Sequence, residues 1–190
     1  MTKQSFQEAS RLVLSEIEKA LAGVQEEQAA ALMEAVLEAG AVFVTGEGRS
    51  GLVARCFAMR LMQLGLSAHV VGETATPALK KGDLLVAVSG TGESEITCTR
   101  AQQAAKQGAR VAALTGSEGS SLASAANLMV VITAATGAAE GAAGARASAQ
   151  YGGSQFEQAA LVTLDAIVLG LQKRLGQSAG QMQARHATVE

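Results

Sequence analysis

Hydroxyl residues and glycines follow a buried-strand pattern in the middle of the chain. Residues 84–88 read LLVAV, and residues 89–94 continue as SGTGES. The glycines let the backbone turn its N–H groups inward, the hydroxyl groups add donors, and the predicted next helix presents unpaired amides. One helix cap needs one hydroxyl group and this stretch has three, so we expect it to bind a phosphate group. Glu93 is expected to cap the next helix or to contact a sugar hydroxyl. The expected residues for binding the substrate or its phosphate are Ser89, Gly90, Thr91, Gly92, Glu93 and Ser94.

Two nucleotide-binding patterns bear on this expectation. No lysine follows the loop in the manner of G-x-x-x-x-G-K-[ST], which argues against a nucleoside triphosphate. An earlier segment does match the dinucleotide pattern G-x-G-x-x-G, through Gly46, Gly48 and Gly51, with Glu73 near the place of a ribose-binding acid. Such glycines also occur wherever a strand turns tightly into a helix, so a dinucleotide site remains as an alternative.

The earlier segment is expected to face the same crevice as residues 89–94. Ligands of open parallel sheets bind outside the carboxyl ends of the strands, and both segments follow predicted strands. Gly48, Arg49 and Ser50 are therefore candidates for substrate binding. Arg49 either reaches a substrate oxygen or remains an ordinary surface charge.

The elements that position these loops are visible as alternating strand and helix patterns. Five short apolar runs, separated by helical segments, indicate parallel strands whose crossover helices cover both faces. The predicted fold is an α/β three-layer αβα sandwich with a five-stranded parallel sheet and a helical N-terminal extension. The runs are residues 41–44, 69–71, 84–88, 111–114 and 128–132.

The whole chain, residues 1–190, is expected to form one domain. Its predicted parts are N-terminal helices at 1–40, core βα units at 41–132, an Ala/Gly-rich and partly mobile loop at 133–154, and a C-terminal helix and tail at 155–190.

Composition excludes several classes of protein. Of the 190 residues, 48% are apolar, 17% are charged and 3% are aromatic, with a net charge of −2, which fits a folded domain and not a nucleic-acid-binding one. No segment looks like an export signal or a membrane span, so we expect a cytoplasmic protein.

Cys56 and Cys98 have no metal-ligand spacing around them and are expected to be buried free thiols in helices.

Several segments together resemble the sugar isomerase (SIS) domain family, and within it the 6-phospho-3-hexuloisomerases. The SGTGES loop alone is typical of any SIS domain, whereas its combination with GETATP and the terminal RH is much narrower. The similar segments are GEGRSGLVARCFAMRLMQLG, VVGETATPALKKGDLLVAVSGTGES, SQFEQAALVTLDAIV, KRLG and ARHATVE.

The resemblance implies a flavodoxin-like fold and an isomerase that uses no metal and no cofactor. It would interconvert D-arabino-3-hexulose 6-phosphate and fructose 6-phosphate in the ribulose monophosphate pathway of formaldehyde fixation. It would work as a homotetramer after 3-hexulose-6-phosphate synthase. By the same resemblance, Ser50 and residues 89–94 match substrate-binding positions, and Glu157 matches the proton acceptor.

The implied reaction calls for a base that serves two neighbouring carbons. Moving a carbonyl group from C3 to C2 removes the C2 proton, passes through an enediol and returns a proton to C3. Glu157, at the start of an apolar helix, is the best-placed carboxylate, although a first-turn acid also favours a helix without any catalysis. Arg49 or His186 could donate to the enediolate oxygens, and His186 could act in its own subunit or in a neighbour's site. Asp165 is expected to pair with a cation in the core or at a subunit contact.

Other functions remain open on the residues alone. The chain could be another SIS isomerase acting on arabinose 5-phosphate or a heptose phosphate, although GETATP and the terminal RH argue against this. It could also be a sugar-phosphate-sensing module of a regulator. Such regulators place a helix-turn-helix before the SIS domain, and the roughly 40 residues before the first strand are too few and too acidic for one.

Overall fold

The computed structural model describes residues 5–136 and 148–189. Its central sheet has five strands in the order β2-β1-β3-β4-β5, and every neighbouring pair is parallel. The predicted five-stranded parallel sheet is therefore confirmed. The strands are β1 (Val42–Gly46), β2 (Ala68–Val70), β3 (Leu84–Ser89), β4 (Arg110–Thr115) and β5 (Leu128–Val131).

Helices cover both faces of this sheet. Because successive side chains of a strand point to opposite faces, Val42 and Val44 enter one apolar core while Phe43 enters the other. Helices α1, α2, α3 and α6 contribute to the first core, and α4 and α5 to the second. This is the predicted three-layer sandwich with a helical N-terminal region. The helices are α1 (Phe6–Leu21), α2 (Glu26–Glu38), α3 (Gly48–Gln63), α4 (Glu95–Lys106), α5 (Ser121–Ser124), α6 (Ser154–Arg174) and α7 (Ala179–Ala184).

The start of α6 is fixed to α1 and to the chain that follows β5. The buried Gln155 accepts a hydrogen bond from the Ala135 amide (2.8 Å) and donates one to the Glu16 carbonyl oxygen (2.9 Å). Residues 137–147 of the loop predicted at 133–154 lie outside the described residues. The predicted mobility of this loop therefore stays a prediction.

The Glu16 carboxylate holds the segment just before α6. It accepts hydrogen bonds from the Ser148 hydroxyl (2.7 Å), the Ala149 amide (2.9 Å) and the Gln150 side chain (2.9 Å). Burial acts to raise the pKa of Glu16, but these hydrogen bonds outweigh it and the pKa is lowered. The ionised carboxylate therefore stabilises the contact between α1 and residues 148–150.

Replacing Glu16 with glutamine is expected to lower the Tm at neutral pH by about 2–4 °C, because the charged acceptor is lost. A lowered pKa contributes stability above the ordinary glutamate pKa of about 4.3, and this contribution is lost as the pH falls through the lowered value. The Tm difference between the wild type and Glu16→Gln should therefore shrink on acidification, as thermal unfolding followed by circular dichroism would measure. Glu18→Gln, at an exposed position on the same helix, is the control and should show no such difference.

One prediction about the cysteines is wrong. Both are free and both lie in helices, but only Cys98 is buried, whereas Cys56 lies on the exposed face of α3. Within the described ranges, no helix is long and apolar enough to cross a membrane, and no group of three or more His, Cys, Asp and Glu residues is placed to hold a metal ion.

Candidate active site

The two glycine-rich loops lie side by side at the carboxyl ends of the strands. Strands β1 and β3 are direct neighbours, and Gly46 pairs in register with Val88. The segments 47–51 and 89–94 therefore leave the sheet next to each other. Their placement supports the expectation that the two loops share one crevice.

The 89–94 loop is closed by its own hydroxyl groups. The Ser89 Oγ accepts from the Gly92 amide, and the Thr91 Oγ1 accepts from the Glu93 amide, both at 3.2 Å. Gly92 has a φ of +69°, a left-handed conformation that L side chains rarely adopt. The hydroxyl groups accept in these contacts and can still donate their own hydrogens, so the loop keeps the donors that a phosphate requires.

Neighbouring elements fix the position of this loop. The Gly90 carbonyl oxygen accepts from the Gly116 amide (2.9 Å), and the Gly92 carbonyl oxygen accepts from the Leu122 amide (2.9 Å). On the other side, the Phe156 ring of α6 leaves no room for a side chain at Gly90, because a Cβ there would come within 3.0 Å of it. The loop is therefore packed between the β4–α5 connection and the start of α6.

Neither the Ser94 nor the Glu93 side chain caps the helix that follows this loop. Ser94 is the N-cap of α4, yet its hydroxyl accepts from the Thr97 hydroxyl (3.2 Å) and does not cap the helix. Glu93 does not cap α4 either, because both of its carboxylate oxygens bind Ser121 at the start of α5, at 2.9 Å and 2.6 Å. These hydrogen bonds from the Ser121 side chain and backbone lower the pKa of Glu93. Its expected contact with the substrate stays a prediction.

Close packing requires two of the glycines in the first loop, Gly46 and Gly51. A Cβ at Gly51 would lie 2.5 Å from the Gly46 carbonyl oxygen, and one at Gly46 would lie 2.8 Å from the Val88 carbonyl oxygen. Helix α3 thus approaches β1 so closely that side chains do not fit. Both the tight strand-to-helix turn and the dinucleotide alternative require such packing, so it does not separate them. Glu73, the residue suggested for a ribose, forms an ion pair with Arg55.

The Arg49 side chain is directed at the first turn of α6. Its Nε lies 3.0 Å from the Glu157 Oε2, and its Nη1 donates to the Ser154 hydroxyl at 2.9 Å. The Glu157 side chain is 18% exposed, whereas that of Arg49 is 55% exposed. The sequence identified both residues as candidates, but it did not predict that they form a pair. A carboxylate and a guanidinium group are thereby held together at the first turn of α6, where Phe156, the residue before Glu157, packs against Gly90 of the 89–94 loop.

A strand-terminal hydroxyl loop beside such a pair can hold a phosphate ester and exchange a proton with the carbon chain that the ester carries. The family model for the SIS domain matches residues 36–161. The chain belongs to the SIS domain family.

Two curated relatives of this SIS protein share one name. It is 42% identical over 179 residues to a 3-hexulose-6-phosphate isomerase of Mycobacterium gastri, covering 94% of this chain and 88% of the relative. It is 36% identical over 178 residues to the 3-hexulose-6-phosphate isomerase of Bacillus subtilis, covering 94% and 95%. A solved structure of a hypothetical protein from Methanococcus jannaschii, for which the same function is inferred, has a TM-score of 0.80 at 29% identity, covering 96% and 99%.

The remaining nominated residues of this SIS domain lie in two places. Gly48 and Ser50 are in the first turn of α3, with Ser50 buried next to the crevice. His186 follows α7 in the exposed C-terminal tail, where its Nδ1 lies 3.1 Å from the Ala187 carbonyl oxygen. The adjacent Arg185 donates to the Gln63 carbonyl oxygen (3.0 Å) at the far end of α3.

His186 therefore does not join Glu157 within one chain. Helix α3 has 16 residues and spans about 24 Å, which separates its first turn from the end that contacts Arg185. This separation favours a role for His186 in a neighbour's site over one in its own subunit's site, and both roles stay predictions. Asp165 is exposed on α6, so its expected pairing in the core is wrong, and a pairing at a subunit contact stays a prediction.

No sequence pattern pointed to Arg100, which contacts the first loop from α4. Its Nη1 donates to the Thr45 hydroxyl (3.0 Å) and to the Glu47 carboxylate (2.8 Å). A single arginine in a polar helix has no distinctive spacing. Only the tertiary structure brings it to residues more than 50 positions earlier.

Proposed function

We infer that this chain is a 3-hexulose-6-phosphate isomerase, which interconverts D-arabino-3-hexulose 6-phosphate and fructose 6-phosphate. The inference rests on the relatives of that name and on one observation in the site, the Arg49–Glu157 pair beside the hydroxyl-rich loop. The likeness to those relatives extends over nearly their whole length.

The phosphate group is proposed to bind residues 89–94, with Gly48 and Ser50 on the facing side. The backbone amides of a turn and the hydroxyl groups of Ser89, Thr91 and Ser94 are suitable donors for a phosphate. The adjacent starts of α3 and α4 add the positive ends of two helix dipoles. This arrangement would leave the carbon chain directed toward α6.

The proton transfer is assigned to Glu157. Its carboxylate takes the proton from C2 of the 3-ketose while the C3 carbonyl oxygen accepts a proton from solvent water, which gives a cis-enediol. The C2 hydroxyl then gives its proton back to solvent, the C2 carbonyl forms, and the glutamic acid returns its proton to C3. Arg49 orients the carboxylate and can donate to the oxygens that gain negative charge. These steps leave the number of protons on the sugar unchanged and need no oxidant or reductant.

A coupled assay tests the function. The chain would be supplied with ribulose 5-phosphate, formaldehyde and 3-hexulose-6-phosphate synthase, and fructose 6-phosphate would be measured with glucose-6-phosphate isomerase and a dehydrogenase. We expect fructose 6-phosphate only when both the synthase and this chain are present. Absence of product, together with tight binding of arabinose 5-phosphate or another phosphosugar, would instead indicate a different SIS isomerase or a sensing module.

The assembly is proposed to be a cytoplasmic homotetramer that works after the synthase. Exposed apolar side chains at Leu52, Met59 and Met62 follow one another along α3, and Leu169 is exposed on α6. Apolar stripes of this kind are typical of subunit contacts. A neighbouring subunit could then bring its C-terminal tail to the site and place its own His186 there.

His186→Ala is expected to lower kcat by about 10-fold or more, since a donor to the enediolate would be lost from the neighbouring site. Unchanged kinetics would remove His186 from the mechanism. Mixing His186→Ala subunits with Glu157→Gln subunits tests whether one site takes Glu157 from one subunit and His186 from another. Sites shared between subunits should regain activity, because about one quarter of them combine both native residues. No recovery would contradict a shared site.

A further inference from the structure

Arg100 connects the two loops of the site. It lies in α4, the helix that begins where the 89–94 loop ends, and it donates to the Thr45 hydroxyl and to the Glu47 carboxylate. Thr45 is buried on β1, and Glu47 is the next residue but one. The arginine thus joins the helix behind one loop to the strand and turn that form the other.

Glu47, the partner of Arg100 in the first loop, lies at the start of the helix that carries the proposed substrate-binding residues. Glu47 is the N-cap residue of α3 and precedes Gly48, Arg49 and Ser50, the proposed substrate-binding residues. Within the described residues, no side chain caps the start of this helix, and the Glu47 carboxylate instead accepts from Arg100 at 2.8 Å. A carboxylate that was free to bind these amides would compete with a phosphorylated substrate and repel it.

The surroundings of Arg100 fit a fixed position rather than a surface charge. Its side chain is only 30% exposed, and it lines a cavity of about 290 Å³ together with Glu47 and Gly72. The backbone at Gly72 packs against the guanidinium group, since a Cβ there would lie 3.4 Å from the Arg100 Nη2. Gly72 also has a φ of +95°, so this approach combines a turn with the absence of a side chain.

We propose that Arg100 is a positioning residue for the isomerase reaction, which holds the Glu47 carboxylate away from the start of α3 and keeps that end open to the anionic substrate. The proposal rests on the proposed function. It assigns Arg100 an effect on substrate binding and not on proton transfer, since the arginine contacts the first loop and not Glu157.

The test compares Arg100→Met, Glu47→Gln and the double variant by steady-state kinetics and by calorimetric titration with fructose 6-phosphate. Arg100→Met should raise KM and weaken fructose 6-phosphate binding about 10-fold or more, with kcat changed less than about threefold. Glu47→Gln alone should stay within about threefold of the wild type, because an amide group does not repel the substrate. The double variant should return to the values of Glu47→Gln.

Further variants separate this role from a purely structural one. Arg100→Gln can still donate to the Thr45 hydroxyl but carries no charge, so it should reproduce the KM of Arg100→Met with better folding. Thr45→Val should leave KM nearly unchanged. Arg110→Met is the matched control, because Arg110 forms a similar ion pair with Glu38 (2.7 Å) at the opposite edge of the sheet.

The outcomes are distinct. If the double variant remains as impaired as Arg100→Met, or if Thr45→Val alone raises KM as much, the proposal is overturned. If the wild type binds fructose 6-phosphate and turns over, the proposed function stands whatever the variants do. If the wild type neither binds nor converts fructose 6-phosphate, the proposed function is wrong, and the role proposed for Arg100 falls with it.

Discussion

Glu157→Gln is expected to lower kcat by at least about 10²-fold and to leave KM nearly unchanged. The glutamine side chain has the size of the carboxylate and can still contact Arg49 and fill the same space in the first turn of α6. It cannot accept the C2 proton, so the loss falls on the chemical step and not on binding. Steady-state kinetics in both directions, with fructose 6-phosphate and with 3-hexulose 6-phosphate, would measure it.

Asp165→Asn is the matched control for this substitution. Asp165 is an acidic residue of the same helix, but it is exposed and lies about two turns further along. It should retain wild-type kcat and KM. A Glu157→Gln variant with near-native kcat would show that another group is the base. Glu157→Asp should retain more activity than Glu157→Gln but less than the wild type, because the shorter side chain withdraws the carboxylate from the substrate.

Gly92→Ala is expected to destabilise the protein by about 2–5 kcal/mol and to weaken phosphate binding. The position has a φ of +69°, and a Cβ there would lie 2.2 Å from the Ser120 Oγ and 2.8 Å from the Thr115 Oγ1. The new methyl group therefore meets a disfavoured backbone conformation and a steric clash at once. The loop would have to move away from the β4–α5 connection, and its donors with it. Denaturant unfolding and fructose 6-phosphate titration would measure the two effects.

Gly119→Ala provides the comparison for this prediction. Gly119 lies in the neighbouring loop, has no left-handed conformation, and a Cβ there would have nothing within 4 Å. Its replacement should leave stability within about 1 kcal/mol of the wild type. If Gly92→Ala were as stable and bound substrate as tightly as Gly119→Ala, the loop would not be held in the way described.

The sheet was predictable because its central strands are buried on both faces. Strand β3 is apolar from Leu84 to Val88 with no alternation, and such a run between helical segments is typical of a strand inside a parallel sheet. The positions of the two loops followed from the same pattern, since a parallel sheet brings the ends of its strands to one edge. Even the three-residue β2 fell within one residue of its predicted position.

The side-chain partners were not predictable in this way. Arg49 meets Glu157 and Glu93 meets Ser121 across long stretches of chain, and these contacts depend on how helices dock and not on local spacing. The periodicity of α3 identified a helix but did not say which of its faces is covered, which is why Cys56 was wrongly expected to be buried. The tail carrying His186 has no apolar pattern that could fix its position.

The contact between Phe156 and Gly90 has a consequence for substrate choice. The ring belongs to the residue just before Glu157, so the proposed phosphate-binding loop and the proposed proton acceptor are linked through one packing contact. On the proposed function, this contact fixes the distance between the bound phosphate and the carbon that loses its proton. A five-carbon or seven-carbon ketose phosphate would place a different carbon at that distance, so we expect the site to select sugar phosphates by chain length.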